Sequence, residues 1–586
     1  MVLLPIVLVS AVILIVAYFT YGRLLARLLD LDPNRPTPAN TLRDDLDFIP
    51  TEPQFLLSQH FSAIAAAGPI VGPILAGIAF GWLPALIWIL VGSILIGGVH
   101  DLTALVASIR HQARSIAEVV RDHMSKRSYL LFLAFIWIAL VYIIVAFTDI
   151  TAASFVGSQT LESGQEVTGA GIASSSLMYL ALPIVMGLLL RYTRLTVGWA
   201  TVLFLPLVGL AIWKGQAWPF DLGAMLGLSS ETTTRQAWDV LLLGYCLVAG
   251  VLPVWMLLQP RGHLGGYFLY VALAAFGIGM VVGSGTEVKY PAFTGWTTAK
   301  GETLAPILFI TIACGACSGF HSLIASGSTS KQLRVETDAK PIAYGAMLLE
   351  AMVAICSLCC VMMLTADSPL LTSGPNNIYA NGLSTLLSGV GVGGLRLDPQ
   401  LVVCFALMAF VTFVYDTLDV CTRLGRYIIQ ELTGLHNAAG RWLGTGLTAG
   451  VPLMFVMQTS LGPDGNPTPV WRTYWALFGA SNQLLAALTL LGVTVWLWKT
   501  KRAAWVWLVV GLPAAWMYTV STWALILMVR GNFLDGKDGW RITTTWVGLV
   551  LIALAALMLV EALRVLLSLG RSEPPRSMKS AMAPSA

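Results

Sequence analysis

Ser318, His321, Ser322 and Ser326 interrupt an otherwise apolar run near 304–328. The first three stand at i, i+3 and i+4, one face of a helix. An ionisable side chain inside a membrane segment is costly and usually functional, and imidazole titrates near physiological pH. His321 is therefore a candidate carrier of a coupling proton. Ser322 and Ser326 offer oxygen ligands to a sodium ion, so H+ and Na+ both stand as coupling ions. The bland alternative is interhelical hydrogen bonding by small polar groups.

Other charges in apolar surroundings extend the list. Asp149 lies in Thr148-Asp149-Ile150-Thr151, either a proton site or an interfacial residue bonded to its threonines. His60, with Gln59, opens a predicted span, where helix capping is the alternative role. His100 and Asp101 fall towards the inner end of the next span, and Glu350 two turns into a later one. Asp416 and Asp419 precede Arg423, Arg426 and Glu431, a pattern suited to a salt-bridge network or gate. His60, His100, Asp101, Asp416 and Asp419 are the candidate gating residues. Cys314/Cys317 and Cys356/Cys359 match C-x-x-C, which leaves a membrane-embedded metal or redox enzyme as the competing class; buried structural cysteines are the simpler account.

Backbone chemistry adds a second kind of site. The run from Phe61 to Leu75 is apolar enough for a membrane helix, yet carries Gly68-Pro69 and Gly72-Pro73. Proline lacks an N–H and glycine loosens the backbone, so the helix breaks there. In hydrocarbon, unpaired backbone groups survive only against packed protein or a cavity. Ala67, Gly68, Pro69, Ile70 and Gly72 therefore stand as substrate contacts. N–H groups at the new helix start would face a carboxylate, and carbonyls before it a cation. A similar interruption at Gly250, Val251 and Pro253 supplies the partner.

The elements that must position these groups are membrane helices. Of 586 residues 57% are hydrophobic and 11% charged, far from the composition of a soluble domain. A formal charge of +4, dispersed along the chain, argues against nucleic-acid binding. The first apolar run lacks a basic leader and a small-residue cleavage site, so it reads as a span and not a signal peptide. Apolar runs fall at about 3–20, 58–80, 82–106, 129–157, 176–190, 196–213, 237–258, 266–285, 304–328, 343–366, 400–416, 443–460, 475–497, 504–528 and 545–568, roughly fifteen spans. A weaker piece near 380–395 is a further span or a re-entrant hairpin. The loop holding Arg110, Arg114, Arg121, Lys126 and Arg127 contrasts with 158–175, which has acids and no base. The positive-inside rule then sets the N-terminus outside and the C-terminus in the cytoplasm.

With that count, 58–80 and 237–258 open two five-helix units of opposite orientation, the inverted repeat of a transporter with two discontinuous helices. The expected fold is an all-α polytopic membrane protein with a five-plus-five core. Its parts are 1–57 (peripheral helix and cytoplasmic loop), 58–440 (transport core, repeats about 58–213 and 237–416), 441–568 (four peripheral helices) and 569–586 (a disordered tail). The acidic piece Asp44 to Thr51 reads as a gating loop or a linker.

In order along the chain, several segments resemble the carbon starvation protein A family of bacterial inner-membrane transporters. They are Asp47-Phe48-Ile49-Pro50-Thr51, His60-Phe61-Ser62, Gly68 to Ile74, His100-Asp101, Val251 to Arg261, Ile312 to Ile324, Tyr344 to Glu350, Leu418-Asp419, Thr422 to Tyr427 and Leu477 to Leu485. Ser481 stands where many members have alanine. The resemblance implies proton-coupled uptake of pyruvate or small peptides under nutrient limitation, with no cofactor. The partners it implies are a small-molecule substrate and the lipid bilayer, and it sets no oligomeric state.

Overall fold

The computed structural model describes residues 2–571 apart from 45–47, 161–165, 254, 284, 299–300, 388–390, 393–394, 459, 462–466 and 536–538. The tail from 572, the middle of the acidic 44–51 piece and part of 380–395 thus lie outside the described residues.

The described chain is overwhelmingly helical, with three two-stranded hairpins in connecting loops. Among the described residues, eleven helices are long and apolar enough to cross a membrane, or twelve if the pair Pro53–Ile64 (α1) and Gly68–Phe80 (α2) is one span bent by 45°. Three expected spans fall short for identifiable reasons. The run at 304–328 is cut into two short helices, Leu304–Thr311 and Gly319–Gly327. The helix Glu231–Ala249 stops before Gly250 and carries Arg235 and Asp239 along its length. The helix Ala438–Val456 is diluted by glycines, Arg441 and threonines.

Burial separates centre from rim. In Pro399–Thr433 and Val470–Lys501, 89% of the most apolar window is inside the protein, against 28% in Leu3–Leu28 and 22% in Thr544–Ser568. The first and last helices therefore turn bare Leu, Val and Ile faces outward, as lipid-facing helices do. Val470–Lys501, expected among the peripheral helices, lies in the interior. Its first two-thirds carry small and polar residues, including Gly479, Ser481, Asn482 and Gln483, that let neighbours approach closely.

Candidate functional site

The first break sits where the sequence puts it. α1 ends at Ile64, Ala65 takes φ −79°, ψ 60°, and α2 begins at Gly68 with Pro69 in its first turn. The second lies elsewhere. Gly250–Pro253 is the connection between two whole helices, Glu231–Ala249 (α3) and Leu258–Val282 (α4), with Pro253 exposed. A helix that has already ended also favours glycine and proline just beyond it, so the motif marks a terminus here. Arg423 satisfies this end, donating from Nη2 to the carbonyls of Ala249 (3.0 Å) and Leu252 (2.8 Å). Gly250 packs on Thr422 and Thr445, away from the first break.

The partner of the first break is residues 312–318, between Leu304–Thr311 (α5) and Gly319–Gly327 (α6). The two interruptions press together. A Cβ on Gly68 would lie 2.4 Å from Cys314 Cβ and Sγ, and one on Gly72 2.5 Å from the Thr311 carbonyl oxygen. Ala67, Gly68, Pro69, Ile70 and Gly72 are all buried in this seam. Small residues make the close approach possible.

Ser318 is the N-cap of α6 with extended backbone (φ −124°, ψ 125°), so it does not share a helical face with His321 and Ser322. Asn482, from Val470–Lys501, closes that helix start: its Oδ1 accepts from Phe320 N (2.9 Å), and its Nδ2 donates to Ser318 Oγ (3.0 Å). Ser322 Oγ donates to the Gly319 carbonyl (2.7 Å) and meets Thr489 Oγ1 (3.1 Å), while Ser326 Oγ donates to the Ser322 carbonyl (2.7 Å). The serines are thus engaged with backbone and neighbouring helices.

His321 stands at the centre of a buried ionisable group. Its Nδ1 donates to Asp101 Oδ2 at 2.8 Å, and its Nε2 lies 3.3 Å from Glu350 Oε2. Asp101 Oδ1 accepts from His100 Nδ1 at 2.7 Å. All four side chains have zero exposure. Asp101 and His100 come from Gly98–Arg110, below a π turn at Ser93–Gly97, and Glu350 from Ala346–Met362. Three helices therefore meet on one imidazole. Neither Glu350 oxygen accepts a hydrogen bond within the described residues.

A second group, missed at its key residue, forms around Arg261 of α4. Its Nε donates to Asp416 Oδ1 (2.6 Å) and its Nη2 to the Tyr415 carbonyl (2.8 Å), while Nη2 lies 2.5 Å from Asp419 Oδ2 in an ion pair. Nη1 donates to Tyr245, whose hydroxyl donates to Asp419 (3.0 Å). Ser62, in α1, donates to Asp416 Oδ2. Gly265 admits this packing, since a Cβ there would fall 2.5 Å from Asp416 Oδ2. Asp416 and Asp419 thus pair inward with Arg261, while Arg423 is engaged with α3 carbonyls and Glu431 accepts from Tyr129 (3.0 Å).

His60 lies well inside α1, which starts at Pro53, so it caps nothing; its Nδ1 pairs with Thr329 Oγ1 at 2.8 Å. Asp149 joins neither group. Its Oδ1 lies 3.0 Å from Arg235 Nε, and its Oδ2 accepts from Trp471 N (2.7 Å) at the start of Val470–Lys501. That is a tie between helices with a favourable helix-dipole position. Cys314 and Cys317 fall in the unwound 312–318 link, and all eight cysteines are buried and free.

Three adjoining cavities lead inward from the end of the molecule that carries Arg114, Lys331 and His436. The outermost holds about 280 Å³. The next, about 40 Å³, shares Leu323, Gly327, Lys331 and Tyr427 with it and adds Arg423. The innermost, about 20 Å³, shares Leu258 and Ser328 with the second and ends on His60, Thr329 and Asp416. No sequence signal marked this route, because its walls come from segments far apart in the chain.

Helices broken face to face, buried titratable groups and a polar route among spanning helices define a membrane transporter. The match to the family model described as carbon starvation protein CstA covers residues 3–369 and 366–524, and the chain belongs to that family. A Bacillus subtilis protein named peptide transporter CstA is 31% identical over 95% of this chain and 96% of its own length. The Campylobacter jejuni protein of the same name is 32% identical over 88% and 79%. The Escherichia coli K12 pyruvate/proton symporter BtsT is 30% identical over 89% and 81%. Among solved structures, an Eremococcus coleocola manganese transporter covers 89% of the chain at 15% identity, with a TM-score of 0.42. The chain is accordingly a multi-span membrane transporter and not a metal or redox enzyme.

Proposed function

We propose that this chain is a secondary uptake transporter of a bacterial inner membrane that carries small carboxylate-bearing nutrients, pyruvate or short peptides, together with protons. The observation that carries the reading is His321, fully buried between Asp101 and Glu350 beside two opposed helix breaks. The proton assignment draws further support from the relative named as a pyruvate/proton symporter. The N-terminus faces outside and the C-terminus the cytoplasm, so the three-cavity route opens inward.

A protonated His321 holds the carboxylates of two other helices to α6. When the proton leaves, a neutral imidazole cannot bridge two ionised carboxylates, and a buried unpaired charge is costly. The α6 half-helix is then free to move against Ala346–Met362. Ala67 to Gly72 and 312–318 form the seam along which the halves rock. With the second break at 312–318 and not at the head of the 237–416 segment, the paired discontinuous helices, more than the repeat boundaries expected from the sequence, support alternating access.

Reconstituted protein should accumulate labelled pyruvate or dialanine when an inward proton gradient is imposed. Absence of gradient-stimulated uptake of both would sink the assignment.

A further inference from the structure

We propose that Arg261 is the anchor for the substrate carboxylate, and that Asp416 is the internal carboxylate it displaces. The proposal rests on the transport reading above and names a binding residue for it.

Three observations point the same way. First, among the described residues Arg261 is the one lysine or arginine with no exposure at all, and it carries two carboxylates, one more than neutrality requires. A guanidinium presents a planar fork that matches a carboxylate in shape and charge. Second, the innermost cavity ends on Asp416 and, on α4, on Leu258, one turn before Arg261, and Gly262, the residue after it. Third, Lys331 and Arg423 line the middle of the route, so an anion meets positive charge on the way in.

Asp416 is the exchangeable partner because it lines the innermost cavity, which Asp419 does not. Displaced from the guanidinium, Asp416 takes one proton, delivered along the route from the aqueous side. Arg261 of α4 and Ser62 of α1 bond it directly and His60 of α1 shares its cavity; Tyr245 of α3, Tyr179 of Gly169–Tyr192 and Asp419 of its own helix surround the Arg261 end of the cluster, and Arg423 lines the next cavity out. Arg261 stays ionised, one carboxylate and one proton enter, and the charge of the cluster is unchanged. Ser62 links the exchange to the first break, since protonation gives the Asp416 carboxyl an O–H of its own and lets the Ser62 hydroxyl, which now donates to it, accept instead. This proton accompanies binding and is separate from the one on His321.

Titration calorimetry on purified protein tests the exchange. Pyruvate, dialanine and their amides, pyruvamide and dialaninamide, are titrated in buffers of different ionisation enthalpy. The wild type should bind pyruvate or dialanine with uptake of a proton, and bind the matching amide at least about tenfold more weakly. Asp416→Asn, which mimics the protonated state, should bind the acid at least as tightly and without that proton. Arg261→Lys should weaken binding by more than about tenfold. Equal affinity for acid and amide in the wild type, a comparison that needs no variant, overturns the anchor while leaving transport intact. Undiminished proton uptake in Asp416→Asn overturns the exchange. Failure of the wild type to bind or take up either acid removes the transport reading and the anchor together.

Discussion

Gly68→Ala is the sharpest probe of the seam between the two breaks. The added Cβ would sit 2.4 Å from both Cβ and Sγ of Cys314, where ordinary contact begins near 3.4 Å. The Sγ can rotate away, but the Cys314 Cβ is fixed by its backbone, so the seam itself must open by about 1 Å. Overpacking of this kind costs ~1–3 kcal/mol. Cys314→Gly removes both obstructing atoms and leaves Cα at 3.7 Å, within normal contact. The double variant should therefore recover most of the loss, less ~0.5–1 kcal/mol for the second glycine's chain entropy. A coupling of ~1–2 kcal/mol, opposite in sign to the single-variant costs, is the expected signature.

Reversible unfolding in mixed micelles, followed by tryptophan fluorescence, measures the four corners of this cycle, and uptake into proteoliposomes gives the functional counterpart. Gly68→Ala should lose stability and transport together, with Cys314→Gly restoring both in part. Strict additivity of the two substitutions would refute the reasoning, because it would mean that the breaks do not bear on one another. Wild-type stability of Gly68→Ala alone would do the same.

Further consequences follow from individual groups. His321→Gln should keep counterflow exchange of labelled substrate but lose accumulation driven by a proton gradient; retained accumulation would remove His321 from coupling. Asn482→Ala should cost ~1–2 kcal/mol by uncapping the α6 start, read as a lower unfolding midpoint. Glu336 accepts from Arg35 and Arg110, both at 2.9 Å, and so ties the 30–40 segment to the end of Gly98–Arg110. Glu336→Gln should speed proteolysis of that segment in limited digests. In the loop after Arg110, His123 meets His111 Nε2 to Nε2 at 2.8 Å, and burial together with that neighbour lowers its pKa to about 4. The folded protein then binds the proton less readily than the unfolded chain, so acidification from pH 6.5 towards 4 should lower stability, and His123→Gln should blunt that fall in thermal scans.

What the sequence made legible were the features with a local cause. Gly68-Pro69 removes a donor and a Cβ at adjacent positions, so the first break needs no tertiary information. The break at 312–318 has no proline. It is held open by contacts from outside: Cys314 against Gly68, and Asn482 supplying the acceptor that Phe320 would otherwise lack. Gly250 to Pro253 carried the stronger local signal and proved to be a helix end, because the same residue types serve both purposes. The charged clusters divide along the same line. His321, Asp101 and Glu350 draw notice singly, since each is an ionisable group in an apolar run, but their convergence rests on separations of 220 and 29 residues that no periodicity connects. Arg261 lay at the start of an apolar run, where a basic residue reads as an ordinary helix flank. Only the fold places it against Asp416, 155 residues on, and turns a flank into a fully buried guanidinium. Its two carboxylates for one charge make the cluster an acceptor for either a proton or an exchange of anions. Proton-coupled uptake of an acid, as proposed for this chain, would use both.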